Sequence, residues 1–554
     1  AGSASSPPVP EGLFAIGRLE HVPVTVMPRL REVAKARLGD PGEVRLLAVR
    51  ALGRAGADAA TDLDRILRSS EVFSAAERAE AARVLRRLGS SGQRTLQNAV
   101  GSLIPASDAV GSTAQGDEAG VLLAVLDALE APGKATKDLK MLAELRPPPN
   151  APAPVLRRLS WVRCMAARLL ATDAQDKSLV GCEQEASHET TPGSQNLPDG
   201  GVADGGPPSS PHGGSIGKRM IVDVLDRLRI DKSNLKTYKE IALGSDLRAR
   251  EAAIELLAKH EELQDIARDV LDAALAGPES GLIATAAGVI TSKPTLANDL
   301  DKLPRNKRKK HRREESTEPE TVAPAPSIVK KLMAIVARAD AENDIELTGG
   351  AIDALGALGI AESKTRIDEL CHSSWPEIRK HAAKALTLLS NTAPNCIAPP
   401  EGGMVTTEVE RPIDHEIKLT LDSDAGRLEL VLDGRIAPQA VTRLVDLAKA
   451  GYYDGMVVHR VVPGFVTQLG APHGDGYGGP VGKPSLRCET SPIPFEPLTV
   501  GIALSGRDTG SSQFFVMHAR HPHLDGQYAW IGHASGPWSA FVDGDLIRKV
   551  TVSP

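Results

Sequence analysis

The sequence has 554 residues, 41% apolar and 25% charged, with a net charge of −6. It is longer than one ordinary domain, its charge gives no global reason to expect a nucleic-acid partner, and no run approaches the ~18 apolar residues of a membrane span. Seven Phe, five Tyr and four Trp are unevenly sorted, eleven of these rings falling after residue 414, which sets the last quarter apart from the rest.

The chain opens AGSASSPP (residues 1–8). A small, polar, Pro-containing start suits a processed, exported protein of the periplasm or cell envelope, although a fusion scar has the same composition; a cytoplasmic protein is the alternative. Cys164 and Cys182, and Cys371 and Cys396, each straddle one predicted helix. Two such pairs are candidate disulfides of an oxidising compartment, with buried free thiols as the other reading.

Through residues 1–182 and 218–396 a motif recurs: an aliphatic residue or Ala, then Arg, then Ala three residues on, then a small or aliphatic pair. It occurs at Val44-Arg45…Ala48…Ala51-Leu52, Val162-Arg163…Ala166…Leu169-Leu170, Ala249-Arg250…Ala253…Leu256-Leu257 and Ile378-Arg379…Ala382…Ala385-Leu386. Looser copies are Arg78…Ala81…Val84-Leu85 and Leu347…Ala351…Ala354-Leu355. This spacing puts the apolar positions on one helix face. A hairpin of such helices cannot bury that face alone and must stack on neighbours. The pattern resembles the HEAT repeats, in short Ala- and Arg-rich bacterial form, which implies a helical solenoid. Its expected role is tethering or binding a client or partner; the other reading is a stiff spacer that holds the last domain away from an anchor.

Three stretches break the pattern. Residues 183–217 are rich in Gly, Pro, Ser and acid and read as a linker. Residues 302–327 open with a basic run from Lys302 to Arg313 and turn acidic at Glu314. Without interleaved aromatics for base stacking they read as a solvated loop rather than a nucleic-acid patch. Residues 397–414 join the array to the final domain.

From His415 the period changes. Ile417, Leu419 and Leu421, then Leu428, Leu430 and Leu432, alternate with polar residues around Asp424-Ala425-Gly426, a hairpin signature. A helix follows from Ala437-Pro438 to Gly451, then short apolar segments punctuated by Gly and Pro. Residues 415–554 therefore read as a β-barrel with a helix over an open end.

Three ordered blocks carry a sharper signal: GYYDGMVVHRVVPGFVTQLG (451–470), GSSQFFV (510–516) and HLDGQYAWIG (523–532), with GYGGP (476–480) between the first two. This domain resembles the cyclophilin peptidyl-prolyl isomerases, in compact prokaryotic form. The resemblance implies an eight-stranded antiparallel barrel with two helices, no cofactor and no metal, and proline-containing protein or peptide clients. Arg460 occupies the family's catalytic position. By the same resemblance Phe465, Val466, Phe515 and Leu524 are expected to line the proline pocket, and Tyr528 stands where the family commonly has histidine. Gln468 and Gln513 supply polar contacts to the substrate backbone and the arginine, while Ala503 and Leu504 lie along the bound peptide.

The chemistry suits these residue types. An X-Pro amide must twist through a barrier of about 18–20 kcal/mol, and a catalyst has only to bind the twisted form better than the planar one. A fixed guanidinium beside an apolar wall does this without a covalent step. The alternative is a scaffold that binds proline segments without turnover.

Several positions depart from the family pattern: His523 stands where many eukaryotic members have tryptophan, Val466 where methionine is usual, and Leu504 where asparagine is common. From periodicity alone Phe465, Phe514 and Phe515 read as barrel core, though adjacent Phe514 and Phe515 must point to opposite faces of a strand. His518, His521 and His523 read as solvent-exposed or pocket-rim histidines rather than a metal set.

Overall fold

The computed structural model describes residues 10–19, 21–40, 43–104, 113–145, 153–174, 176, 179, 216–228, 230–299, 323–338, 345–398, 412–462, 465–474, 476–480, 483–538, 541 and 544–553. Cys182 and most of the three predicted breaks lie outside them.

The helices up to Ser390 stack in two layers. One layer runs Glu43–Leu52, Ala75–Leu85, Thr113–Ala128, Ala153–Leu170, Ile216–Arg227, Leu247–Lys259, Ser280–Ser292, Ile345–Ala357 and Pro376–Ser390, each touching the next. A second layer, from Ala60–Arg68 to Lys364–Leu370, packs against it. Every copy of the recurring motif falls on the first layer, and Ala48, Ala81, Ala166, Ala253, Ala351 and Ala382 are all buried. Small side chains let these helices approach closely: a Cβ on Gly356 would lie 2.7 Å from Ala385 Cα.

The motif arginine has a structural role. Arg78 donates to Leu67 O (2.8 Å), Arg250 to Ala242 O (3.4 Å) and Arg379 to Ser373 O (2.6 Å). Each carbonyl belongs to the end of the preceding second-layer helix or its connection, where backbone acceptors lack intrahelical partners. One continuous apolar core runs from Leu13 to Leu386. Ala153–Leu170 packs directly on Ile216–Arg227, so the long break between them does not divide that core. Ile216 already opens a helix, two residues inside the predicted linker.

Cys371 and Cys396 form a disulfide with Cα atoms 4.7 Å apart. Cys164 is also disulfide-bonded; its predicted partner Cys182 lies outside the described residues. Cys488 is a free thiol. Among the described residues no helix is long and apolar enough to cross a membrane.

The last domain is a curled antiparallel sheet of β1 (Glu416–Ser423), β2 (Gly426–Asp433), β3 (Met456–Val457), β4 (Arg460–Val462), β5 (Val466–Leu469), β6 (Thr499–Ile502), β7 (Phe514–Met517), β8 (Trp530–Ser535) and β9 (Leu546–Ser553). Its order is β3-β9-β1-β2-β8-β6-β7-β5-β4. The two edge strands are separated by only Val458 and His459, so they are halves of one bent strand whose ends pair with β9 and β5. Counted once, that strand gives the eight of a closed barrel. The β1–β2 hairpin turns through Asp424-Ala425, with Gly426 at φ 109°, a conformation that favours glycine. Helix Pro438–Lys449 packs on β9 and β2. Its first free amides, Gln439 N and Ala440 N, donate to Glu489 (3.0 and 2.8 Å), an acid suited to a helix N-terminus.

Barrel and array are in contact along the length of the array. Arg50 Nη1 lies 3.2 Å from His521 Nε2, Arg248 Nη2 donates to His459 O (3.3 Å), and Arg487 Nη1 donates to Ser374 O (3.3 Å). Two barrel glycines permit close approach: a Cβ on Gly506 would fall 2.6 Å from Glu377 Cγ, and one on Gly544 3.3 Å from Trp161 Nε1. A spacer that keeps the last domain at a distance is therefore not what the array forms. Its first layer turns hydrogen-bond donors toward the barrel and holds it.

Candidate active site

The site grows from the ladder β4–β5–β7. Register sets Arg460 opposite Gln468, and Gln468 opposite Phe515. Arg460 Nη1 donates to Gln468 Oε1 (3.1 Å), Gln468 Nε2 to Gln513 Oε1 (3.0 Å), and Gln513 Nε2 to Gly476 O (2.7 Å). Each side-chain amide uses its oxygen toward Arg460 and its nitrogen away from it, so the relay anchors an exposed guanidinium to loop backbone. The Arg460 Cζ atom lies 5.7 Å from the Phe465 ring centre. Beside it, buried His459 has no hydrogen-bond partner on either ring nitrogen among the described residues. Burial first, then the charges of Arg248 and Arg460, push its pKa down to about 3. A neutral imidazole thus backs the arginine.

Val466, Phe495, Phe515, Met517, Leu524 and Trp530 form an apolar cluster separate from the main barrel core, with Phe465, Ala503 and Tyr528 at its edge. Phe495 and Phe515 centre at 5.6 Å, and Tyr528 meets Phe515 edge-on at 5.6 Å, geometries that aromatic quadrupoles favour. Phe514 belongs to the main core, so the two adjacent phenylalanines do divide between faces.

The structure brings together Arg460, Phe465, Val466, Gln468, Ala503, Gln513, Phe515, Leu524 and Tyr528. Leu504 instead packs against the main core, because successive residues after β6 point to opposite sides. Gln513 reaches the arginine only through Gln468. Sequence reasoning passed over Phe495, Met517 and Trp530. Phe495 is fixed by Asp525, whose Oδ1 accepts from Phe495 N and from Arg520 Nη1 (both 2.9 Å). The Asp within HLDG was the available signal, but its target lies 30 residues away. His518 Nε2 is 2.8 Å from Thr467 Oγ1 and His521 lies edge-on to Phe465 at 4.6 Å. Among the described residues no group of three or more His, Cys, Asp or Glu is arranged to hold a metal.

A fixed cation above an apolar floor can hold a proline ring and donate to an amide losing its planarity. Residues 417–538 match the family model of the cyclophilin type peptidyl-prolyl cis-trans isomerase. A peptidyl-prolyl cis-trans isomerase of Helicobacter pylori is 40% identical over 142 residues, covering 24% of this chain and 86% of that protein. The chain belongs to the cyclophilin-type peptidyl-prolyl cis-trans isomerases. Peptidyl-prolyl cis-trans isomerase B of Bacillus subtilis is 41% identical over 134 residues (23% of this chain, 92% of that protein). That of Synechococcus elongatus is 39% identical over 137 residues (24% and 93%). These similarities cover the barrel.

Within the cyclophilin domain, the departures from the family pattern keep the pocket apolar. Val466 is buried in the cluster, Tyr528 supplies an aromatic edge, and the His523 ring stacks 6.0 Å from Phe465.

Proposed function

We propose that this cyclophilin-type enzyme accelerates X-Pro isomerisation in partly folded protein clients, with Arg460 as its catalytic residue. The observation that supports this most is the relay Arg460–Gln468–Gln513, which holds an exposed guanidinium over Phe465. Proline seats among Phe465, Val466, Phe515, Leu524 and Tyr528 while the preceding residue rotates. Arg460 donates to the pyramidal nitrogen or the neighbouring carbonyl, and each tenfold in rate needs about 1.4 kcal/mol of preference for the twisted amide. Gln468 aims the fork and Ala503 borders the bound backbone. The helical array is a bacterial HEAT-type scaffold that positions the catalytic domain and binds a client or partner. Periplasm or cell envelope is the proposed location, supported by the Cys371–Cys396 bridge.

The test is NMR exchange on an Ala-Pro peptide with the full chain. Turnover should fall about 100-fold or more in Arg460→Ala, with an unchanged melting temperature because this side chain is exposed. Peptide binding without turnover would favour the non-catalytic scaffold. Four or five free thiols on protein from its native source would sink the export reading.

A further inference from the structure

The face that the array turns toward the catalytic domain is charged in a pattern that the isomerase reaction does not explain. Arg50 and Arg54 are four residues apart on and just beyond helix Glu43–Leu52; Arg83 and Arg87 are four apart on and just beyond helix Ala75–Leu85. The two pairs are offset by 33 residues, the same offset as Arg45 and Arg78, so they occupy equivalent positions on neighbouring first-layer helices. Buried Glu80 sits among them, accepting from Arg50 Nε (3.0 Å) and from Arg83 Nη2. Arg83 keeps 36% of its side chain exposed, and Arg87 is exposed.

This cluster adjoins the proline pocket. Arg50 Nη1 is 3.2 Å from His521 Nε2, and His521 packs on Phe465. His518 donates its backbone N–H to Phe465 O (2.8 Å), and its imidazole feels the charges of Arg83 and Arg50. Burial above all lowers the pKa values of Arg83 and Arg87; Glu80 opposes that shift in both, while Arg50 adds to it in both and Arg54 in Arg87. Burial and then the array's Glu251 and Glu346 raise the pKa of Tyr477, in the loop anchored by Gln513.

We propose that the array forms part of the substrate site: Arg83 and Arg87, in the cluster whose Arg50 meets His521 at the Phe465 rim, make a subsite for a carboxylate side chain flanking the client's proline. This rests on the proline pocket assigned above but not on turnover. An acidic client gains an ion pair at the pocket edge while the proline ring sits on the aromatic floor. A basic client meets like charge at the same place.

The test uses the full chain and two labelled peptides that differ only in Glu or Lys around one Ala-Pro unit. Affinity is read by fluorescence anisotropy and turnover by NMR exchange, at low and high salt. The Glu peptide should bind about five- to tenfold tighter at low salt, the size expected of two half-exposed ion pairs, and the preference should shrink as salt rises. Arg83→Gln/Arg87→Gln should bring the affinity ratio close to one, the single exposed change Arg87→Gln should reduce it, and Arg87→Lys should restore most of it. Arg29→Gln, in the exposed Arg29–Glu32 pair outside the cluster, should leave the ratio alone. A ratio near one in the unaltered protein, or one that survives in folded Arg87→Gln and the double variant, overturns the subsite. A preserved ratio in a protein that turns over neither peptide would instead sink the catalytic reading and leave the subsite standing.

Discussion

The guanidinium of Arg487 lies 4.0 Å from the centre of the Trp375 ring and also donates to Ser374 O, joining the barrel to the last helical pair of the array. A stacked arginine of this kind contributes about 1–2 kcal/mol when partly desolvated. Arg487→Lys keeps the charge but loses the planar fork. It should loosen the docking without unfolding either part, raising amide exchange at residues 373–375 severalfold. Exchange there identical to that of the unaltered chain would mean that this pair does not hold the domains together.

On the proposed mechanism Gln468 is a positioning residue, since its oxygen accepts from Arg460 and its nitrogen donates to Gln513. Gln468→Leu should lower kcat about tenfold while KM changes little, because the proline floor is untouched and only the aim of the guanidinium is lost. Gln468→Glu keeps an acceptor for Arg460 and should recover part of the rate. A rise in KM with kcat intact would show that Gln468 binds peptide instead.

Two histidines make folding sensitive to acid. His459 is held down to about 3 by burial, then by Arg248 and Arg460; His518 is held down to about 4 by burial, then by Arg83 and Arg50. Both start from 6.5 in the unfolded chain. Between those values the unfolded state carries more protons, so the stability they contribute is complete above about pH 6.5 and falls as pH drops toward 4 and 3. Arg248, Arg83 and Arg50 belong to the array, so protonation also opposes docking. The melting temperature should decline from pH 7 to pH 4.5, and His518→Asn should flatten part of that slope. A slope unchanged by this substitution would remove His518 from the account.

The Cys371–Cys396 bridge closes a 25-residue span around helix Pro376–Ser390. A loop of this size contributes about 3 kcal/mol by restricting the unfolded chain. Cys371→Ser/Cys396→Ser should lower the denaturation midpoint accordingly and leave Ala-Pro turnover within twofold, since both residues pack with the array core and not with the pocket cluster. An unchanged midpoint would mean that the bridge adds no stability.

Local chemistry wrote much of this protein into its sequence. The Arg-and-Ala motif marked first-layer helices because a close helix contact needs a small residue at a fixed place, as at Ala385 against Gly356. The blocks around Arg460, Gln513 and Asp525 marked the last domain through their resemblance to the cyclophilins, and the alternation of Ile417, Leu419 and Leu421 with polar residues marked its strands. Tertiary structure decided what no window of sequence contains. It set Phe495 under Phe515, sent Leu504 to the main core, and divided Phe514 from Phe515 by the alternation of one strand. Above all it brought Arg50 to His521, 471 positions along the chain. Neither residue has a periodicity or spacing that announces the other, because a contact between two separately folded surfaces depends on how those surfaces meet. The uneven distribution of rings located the domain boundary; only the fold disclosed that the two sides of that boundary meet where Arg50 reaches His521, against Phe465.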